Sequence, residues 1–307
     1  MQASGRGALT LILICLGAGC GLTIPLIKVT VDAGHGPFGI IFWQFLVGSV
    51  VLGALQWRTG RRIAITRQSL MVWLFIALIG TLIPNSASYR ATFHLPAGVM
   101  AIIIASVPMM ALPMAVILRA DVVTWPRVCG LLLGLAGVAL IALPEASLPN
   151  PAMVAFIPLA LVAPFCYAIE GNVVGKWGTG ALDPVQVMFG ASVLGCAIAL
   201  PLAITTGQFV WPTSPYVLAD LTLVLTAMIH IVVYTSYVWL VGRAGAVFAG
   251  QVAYLVTGFG VLWSIILLGE VYSYWVWGAT ALMLLGLVLV QPRSVLDDAA
   301  VTGDTAR

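Results

Sequence analysis

His230, Tyr234 and Tyr237 stand at i, i+4 and i+7 in the stretch TAMIHIVVYTSYVW, residues 226–239. On an α-helix that spacing puts the imidazole and both phenols on one face, and Thr226 extends the stripe. These groups donate and accept hydrogen bonds, and the imidazole can also carry a proton. A shift of 149 residues maps them onto Thr81, Asn85 and Ser88, which share a face in the same way. Two polar stripes at matching places in otherwise apolar sequence predict the walls of one polar pathway. The competing reading is hydrogen bonding between packed helices, worth about 0.6–2 kcal/mol per contact in a membrane.

A second group of costly residues closes an apolar run in PFCYAIEGNVVGKW, residues 164–177. Lys176 can snorkel, with its stem in lipid and its ammonium in water. Lys28, the only other lysine, is its mate under a shift of 148. Glu170 cannot snorkel far, and Asn172 cannot share its face. The expectation is a gate ion pair with Lys176 or Arg243, a proton-linked carboxylate, or a purely structural pair. Arg90 and His94 follow the 81–88 stripe, as interfacial groups or as an attractor for an anionic group. Trp43 with Gln44 and Gln251 with Tyr254 are further pathway candidates; the last two, three residues apart, are neighbours on a helix.

Other chemistries lack their residues. The three histidines, His35, His94 and His230, are widely separated, and no HExxH, GxSxG, P-loop or CxxC occurs. The sequence therefore predicts no catalytic residue, no metal site and no cofactor. The five cysteines all sit in apolar runs and read as small buried hydrophobes.

The elements that must carry these residues follow from composition. Of 307 residues, 62% are hydrophobic and 7% charged. A soluble domain carries about a quarter charged residues, so the chain reads as a polytopic membrane protein. With a net charge of +3 and no large basic cluster, nothing points to nucleic acid. Ten apolar windows can cross the hydrocarbon: about 8–28, 37–57, 69–91, 95–118, 125–143, 152–175, 183–206, 216–240, 245–268 and 272–291. The breaks carry turn residues or charge, as in DAGHGPF, RTGRRIAITRQ and GTGALDP. The first window is too long for a signal-peptide core and lacks a convincing cleavage site. With the N-terminus inside, 11 of the 13 basic residues fall on the cytoplasmic side, and only Lys28 and Arg90 do not. That bias supports both the span count and cytoplasmic termini.

The chain also repeats. LPAGVMAIIIASVPMMALPMAVILRADVVTW (95–125) pairs with AGAVFAGQVAYLVTGFGVLWSIILLGEVYSY (244–274), placing Ala97 on Ala246, Asp121 on Glu270 and Gly137 on Gly286. The predicted fold is all-α, ten transmembrane helices in two five-helix repeats, 1–146 and 147–292, with a disordered cytoplasmic tail at 293–307. Five spans per repeat force the second copy to lie inverted, an arrangement that alternating access can exploit. GLLLGLAG, residues 130–137, lets a helix approach its neighbour closely, within the subunit or across a dimer. Pro25, Pro108, Pro113, Pro158 and Pro164 lie inside spans and permit kinks.

Residues 8–291 resemble the EamA-like ten-helix exporters of the drug/metabolite transporter superfamily. The resemblance rests on AGCGLTIPLIK in helix 1 and its echo in helix 6, on HLPAGVMAIIIASVPMMALPMAVIL in helix 4, and on RAGAVFAGQVAYLVTGFGVLWSIILLGEVYSYWVWGATALMLLGLVLV in helices 9 and 10. Gly269–Glu270 match the family's LGE at the end of helix 9. Departures are Cys20–Gly21 for Trp-Gly, Arg119–Ala120–Asp121 as the helix 4 counterpart of LGE, and Thr257 in helix 9 where helix 4 keeps Pro108. The resemblance implies a central cavity bordered by helices 4 and 9, which favours Gln251, Tyr254, Ser106 and Pro108. It also implies secondary transport across the inner membrane, usually export of amino acids or other small metabolites.

The function expected is thus a multi-pass inner-membrane carrier, not an enzyme, driven by protons, exchange or the substrate's own gradient. Its partners are a small-molecule substrate, the lipid bilayer and possible coupling protons, and it is a monomer or homodimer. The alternatives are a lipid-acting intramembrane enzyme and an organophosphate or nucleotide-sugar exchanger of the same superfamily. A channel or sensor has no filter-like loop to support it.

Overall fold

The structure, a computed structural model, describes the backbone of residues 2–60, 63, 65–119, 123–144, 147–211, 218–244 and 251–290. Ten helices run through them. They are α1 Gln2–Asp32, α2 Pro37–Thr59, α3 Arg67–Thr92, α4 Ala97–Ile117, α5 Trp125–Ala142, α6 Pro151–Trp177, α7 Pro184–Thr205, α8 Leu218–Ala244, α9 Val252–Leu268 and α10 Tyr274–Val290. The first eight contain a stretch of at least 18 residues apolar enough to cross a membrane, and α9 and α10 are shorter apolar helices. No strand occurs among the described residues. Every break expected from turn residues and charge separates two helices, including the weak one at Arg90–Pro96. Asp121, Ala246 and the tail at 293–307 lie outside the described residues.

Local chemistry starts and stops the helices. The Asp183 side chain accepts from the Gln186 N–H while the Gln186 side chain accepts from the Asp183 N–H, a reciprocal cap before Pro184 opens α7. Thr66 caps α3 at Ser69. Two spans depart from a regular α-helix. In α4 the helix breaks at Ala105–Ser106, because Pro108 cannot donate to the Ile104 carbonyl; Ser106 donates both its N–H and Oγ to the Ile103 carbonyl. In α3, Ile76–Leu82 form a π-helical segment, a geometry concentrated at functional sites.

The halves are interlaced. The most extensive pairs, α5–α10, α1–α9, α2–α7, α1–α8 and α3–α6, all join one repeat to the other. Lipid supplies no hydrophobic drive between helices, so close backbone approach has to supply the contact. A Cβ on Gly130 would lie 2.7 Å from the Gly286 carbonyl, and one on Gly286 2.7 Å from the Gly130 carbonyl. The small-residue stripe of α5 thus packs within the subunit, against α10. Exposed tryptophans sit near both ends of the bundle: Trp57, Trp125 and Trp177 on the side where α1 begins, called the amino face, and Trp211 on the far face. Such aromatic belts mark membrane–water interfaces.

Gly286→Ala pushes a methyl into backbone and should lower detergent-solubilised thermal stability by about 1–3 kcal/mol. Gly278→Ala, whose Cβ meets only Leu140 Cδ2 at 3.5 Å, should leave the melting temperature unchanged.

Candidate functional site

Two adjoining cavities occupy the middle of the bundle. The larger, about 260 Å³, is lined by Gln44 of α2, Thr81 and Asn85 of α3, Ser192 of α7, and His230, Tyr234 and Thr235 of α8. It continues toward the amino face, where Asp183, Pro184 and Trp239 line it. The smaller, about 180 Å³, adds Cys20, Thr23, Ser88, Tyr89, Tyr167 and Thr226. Gln44, Asn85 and His230 line both. His230 is exposed although it lies mid-span, because its ring faces this internal space.

Tertiary contacts set the two amides. Gln44 Oε1 accepts from Tyr89 at 2.9 Å, and Asn85 Oδ1 accepts from Tyr167 at 2.8 Å. Each amide oxygen is thereby held, and the NH₂ groups remain as donors. Tyr89 and Tyr167 were not singled out by the sequence reading. Their only sequence signal is position: Tyr89 adjoins Ser88, and Tyr167 lies one turn before Glu170.

Above this space, on the far side, the pathway is shut. Trp43 Nε1 donates to the Val210 carbonyl at 2.8 Å, and its ring joins Phe42, Phe209 and Trp211 in an aromatic cluster. Thr30 and Thr222 share a buried 2.8 Å hydrogen bond between α1 and α8. Asp220 Oδ1 lies 3.5 Å from His35 Nε2. Among the described residues, the cavity thus reaches the amino face and is closed toward the far face.

The other sequence candidates go elsewhere. Tyr237 packs on Leu13, Leu16 and Leu240 between α1 and α8, not on the cavity. Helical spacing alone keeps Tyr237 about 20° round from His230; the packing of α1 against α8 at this level claims it instead. Tyr254 packs against the core shared by α4, α5, α6, α9 and α10, and Gln251 is exposed at the start of α9. Trp43 belongs to the far closure. The Arg90 guanidinium lies 5.6 Å from the centre of the Phe38 ring, and His94 stacks on Phe156 at 3.6 Å.

Glu170 does not meet Lys176, whose ammonium donates instead to the Leu118 carbonyl at the end of α4, at 2.8 Å. The Arg243 side chain lies outside the described residues. The Glu170 carboxylate presses on the π-helical segment of α3: a Cβ on Gly80 would lie 2.7 Å from Oε1 and 2.9 Å from Oε2. It is also within electrostatic reach of Tyr167 and Tyr234. Asn172, on another face, donates to the Ala111 carbonyl of α4 and to its own helix at Ala168.

A further acid between helices, Glu270, has a plain structural role. Glu270, just past α9, accepts from the Ala97 N–H at 2.7 Å and the Gly98 N–H at 3.1 Å, and Tyr272 donates its hydroxyl to the same carboxylate. A carboxylate there satisfies the unpaired amides that open α4 and suits the positive end of the helix dipole. Burial, then the adjacent Glu270, raises the Tyr272 pKa, so the phenol keeps the proton it donates.

Two stretches of the chain, residues 6–143 and 155–291, each match the EamA-like transporter family. The chain belongs to that family. Two matches offset by 149 residues at their starts confirm the internal duplication, and EamA proteins are membrane transporters. No curated protein matches the chain. A crystal structure with 18% sequence identity aligns over 92% of this chain and 97% of its own, with a TM-score of 0.63, and shows a shared fold alone.

Gly80→Ala in this EamA protein should force Glu170 off α3 and lower thermal stability by roughly 1–3 kcal/mol. The double variant Gly80→Ala/Glu170→Ala should recover at least half of that loss in the same melting assay.

Proposed function

We propose that this EamA protein is a secondary carrier that exports an amino acid or a related small metabolite across the inner membrane, with its amino face cytoplasmic. The observation that carries the reading is a mid-bilayer cavity lined from both repeats, Gln44 and Asn85 from one and His230 and Tyr234 from the other. Amides, phenols and hydroxyls offer donors and acceptors in a wall of mixed polarity, which suits the paired carboxylate and ammonium of a zwitterion. Phosphorylated substrates need several fixed cations, and here Lys28, Lys176 and Arg90 are committed to Thr92, Leu118 and Phe38. Access from the amino face with closure at the far face is one of the two states that alternating access requires.

Glu170 is the proposed proton site. It is a membrane-embedded carboxylate at the π-helical wall of α3, and such groups mark proton relays in carriers. The groups facing it are Tyr234 of α8 and Tyr167 and Cys166 of its own helix.

Proteoliposomes loaded with labelled amino acids, nucleobases and sugar phosphates test the reading. Saturable flux of one zwitterionic class is expected. His230→Ala should cut it about tenfold, a loss of about 1.4 kcal/mol, while Tyr237→Phe should leave it intact. Flux confined to sugar phosphates, or equal flux in His230→Ala, would overturn the assignment. Glu170→Gln should keep exchange but lose stimulation by a pH gradient.

A further inference from the structure

The two repeats are related by sequence but not equally placed, and the differences fall at matching positions. Lys28 closes the far side: its ammonium donates to the Thr92 carbonyl at the end of α3 and to Asp32, each at 2.8 Å. Its repeat mate, Lys176, does not reach the corresponding helix, α8. It donates to the end of α4. Likewise α1 packs on α3, while among the described residues α6 and α8 make no comparable contact.

The faces behind the lysines differ in the same sense. A shift of 148 maps Thr23 and Ile27 of α1 onto Gly171 and Gly175 of α6. Ile27 is buried in the core shared by α2, α3 and α7, where the far side is shut. Gly171 and Gly175 are exposed, and a Cβ on either would meet nothing within 4 Å among the described residues. Two glycines four residues apart form a shallow helix face of the kind that lets another helix come close. Beside Lys28, a cleft of about 250 Å³ extends to Glu270 and Val271, just past the end of α9. The end of α9 is the repeat mate of the α4 end that holds Lys176.

We propose that Lys28 and Lys176 form a reciprocal latch and that Gly171–Gly175 is the docking face that completes it. When the carrier turns outward, the last turns of α8 settle on Gly171 and Gly175. Lys176 leaves the Leu118 carbonyl for the closing carbonyls of α8, residues 241–244, which begin at the repeat mate of Thr92. Lys28 leaves Thr92 and crosses the cleft to the closing carbonyls of α9. Each ammonium caps a helix C-terminus in both states, so neither charge is left unpaired near the hydrocarbon. The exchange conserves the number of caps and trades only their partners, as two nearly degenerate arrangements require. This latch rests on the carrier reading.

Cys20 lines the central cavity and can report access. With Cys15, Cys129, Cys166 and Cys196 replaced by alanine, an impermeant maleimide added to either face of oriented proteoliposomes reads the two states without a substrate. Lys28→Met removes one cap from each state, so the balance of far-face to amino-face labelling should stay within about twofold of the parental value. Gly175→Leu, which meets open space in the present state, should keep the parental melting temperature yet cut far-face labelling roughly fivefold. Should Gly175→Leu lower the melting temperature, cross-linking between Lys176→Cys and Val241→Cys provides the second measurement, with cross-links expected only when the far face is open. Parental labelling from both faces that Gly175→Leu leaves unchanged, a balance of the two faces that Lys28→Met shifts by more than about twofold, or no 176–241 cross-link, would overturn the latch and leave the carrier standing. Parental labelling confined to the amino face would overturn both.

Discussion

A backbone amide or carbonyl left unpaired in hydrocarbon costs several kcal/mol, and each helix end exposes up to four of them. Here the ends that matter are satisfied by side chains from elsewhere in the bundle. Glu270 of the second repeat caps the amides that open α4 in the first. Lys176 of the second repeat caps the carbonyl that closes the same helix. A helix broken in the middle at Ser106 and Pro108 is therefore held at both ends by the opposite half. Loss of the Glu270 cap would leave part-buried amides unpaired, whereas the Lys176 cap is an exposed contact.

This arrangement explains how so few charges suffice. The chain spends its intramembrane ionisable groups on helix ends and on one wall of the cavity, and leaves the lumen to amides, phenols, hydroxyls and a histidine. Gln44 and Asn85 are oriented by Tyr89 and Tyr167, which join α2 to α3 and α3 to α6. The polar lining is thus tied to the interlacing of the repeats, and a shift of α6 relative to α3 would move Asn85 directly.

The π-helical segment of α3 has a comparable double role. It carries Thr81 into the cavity and brings Gly80 against Glu170. The wall and the α6 carboxylate behind it therefore meet at one segment of α3.

Periodicity and cost are what made much of this legible without coordinates. Ten apolar windows, their breaks and the 149-residue repeat follow from the length of hydrocarbon to be crossed, and the bundle has those helices. The i, i+4 pairs Thr81–Asn85 and His230–Tyr234 share a face in any α-helix, and all four line the cavity. Glu270 was visible as a motif residue but not as a cap, since its partners lie more than 170 residues away. Tyr237, Tyr254, Trp43 and the two lysines carried the same polar signature as the cavity residues, yet packing against other helices sent them to the core, to the closure and to helix ends. Spacing along the chain sets which side chains share a helix face. Only the rotation and tilt of each helix against its neighbours decides what that face meets, and those depend on contacts between residues far apart in sequence.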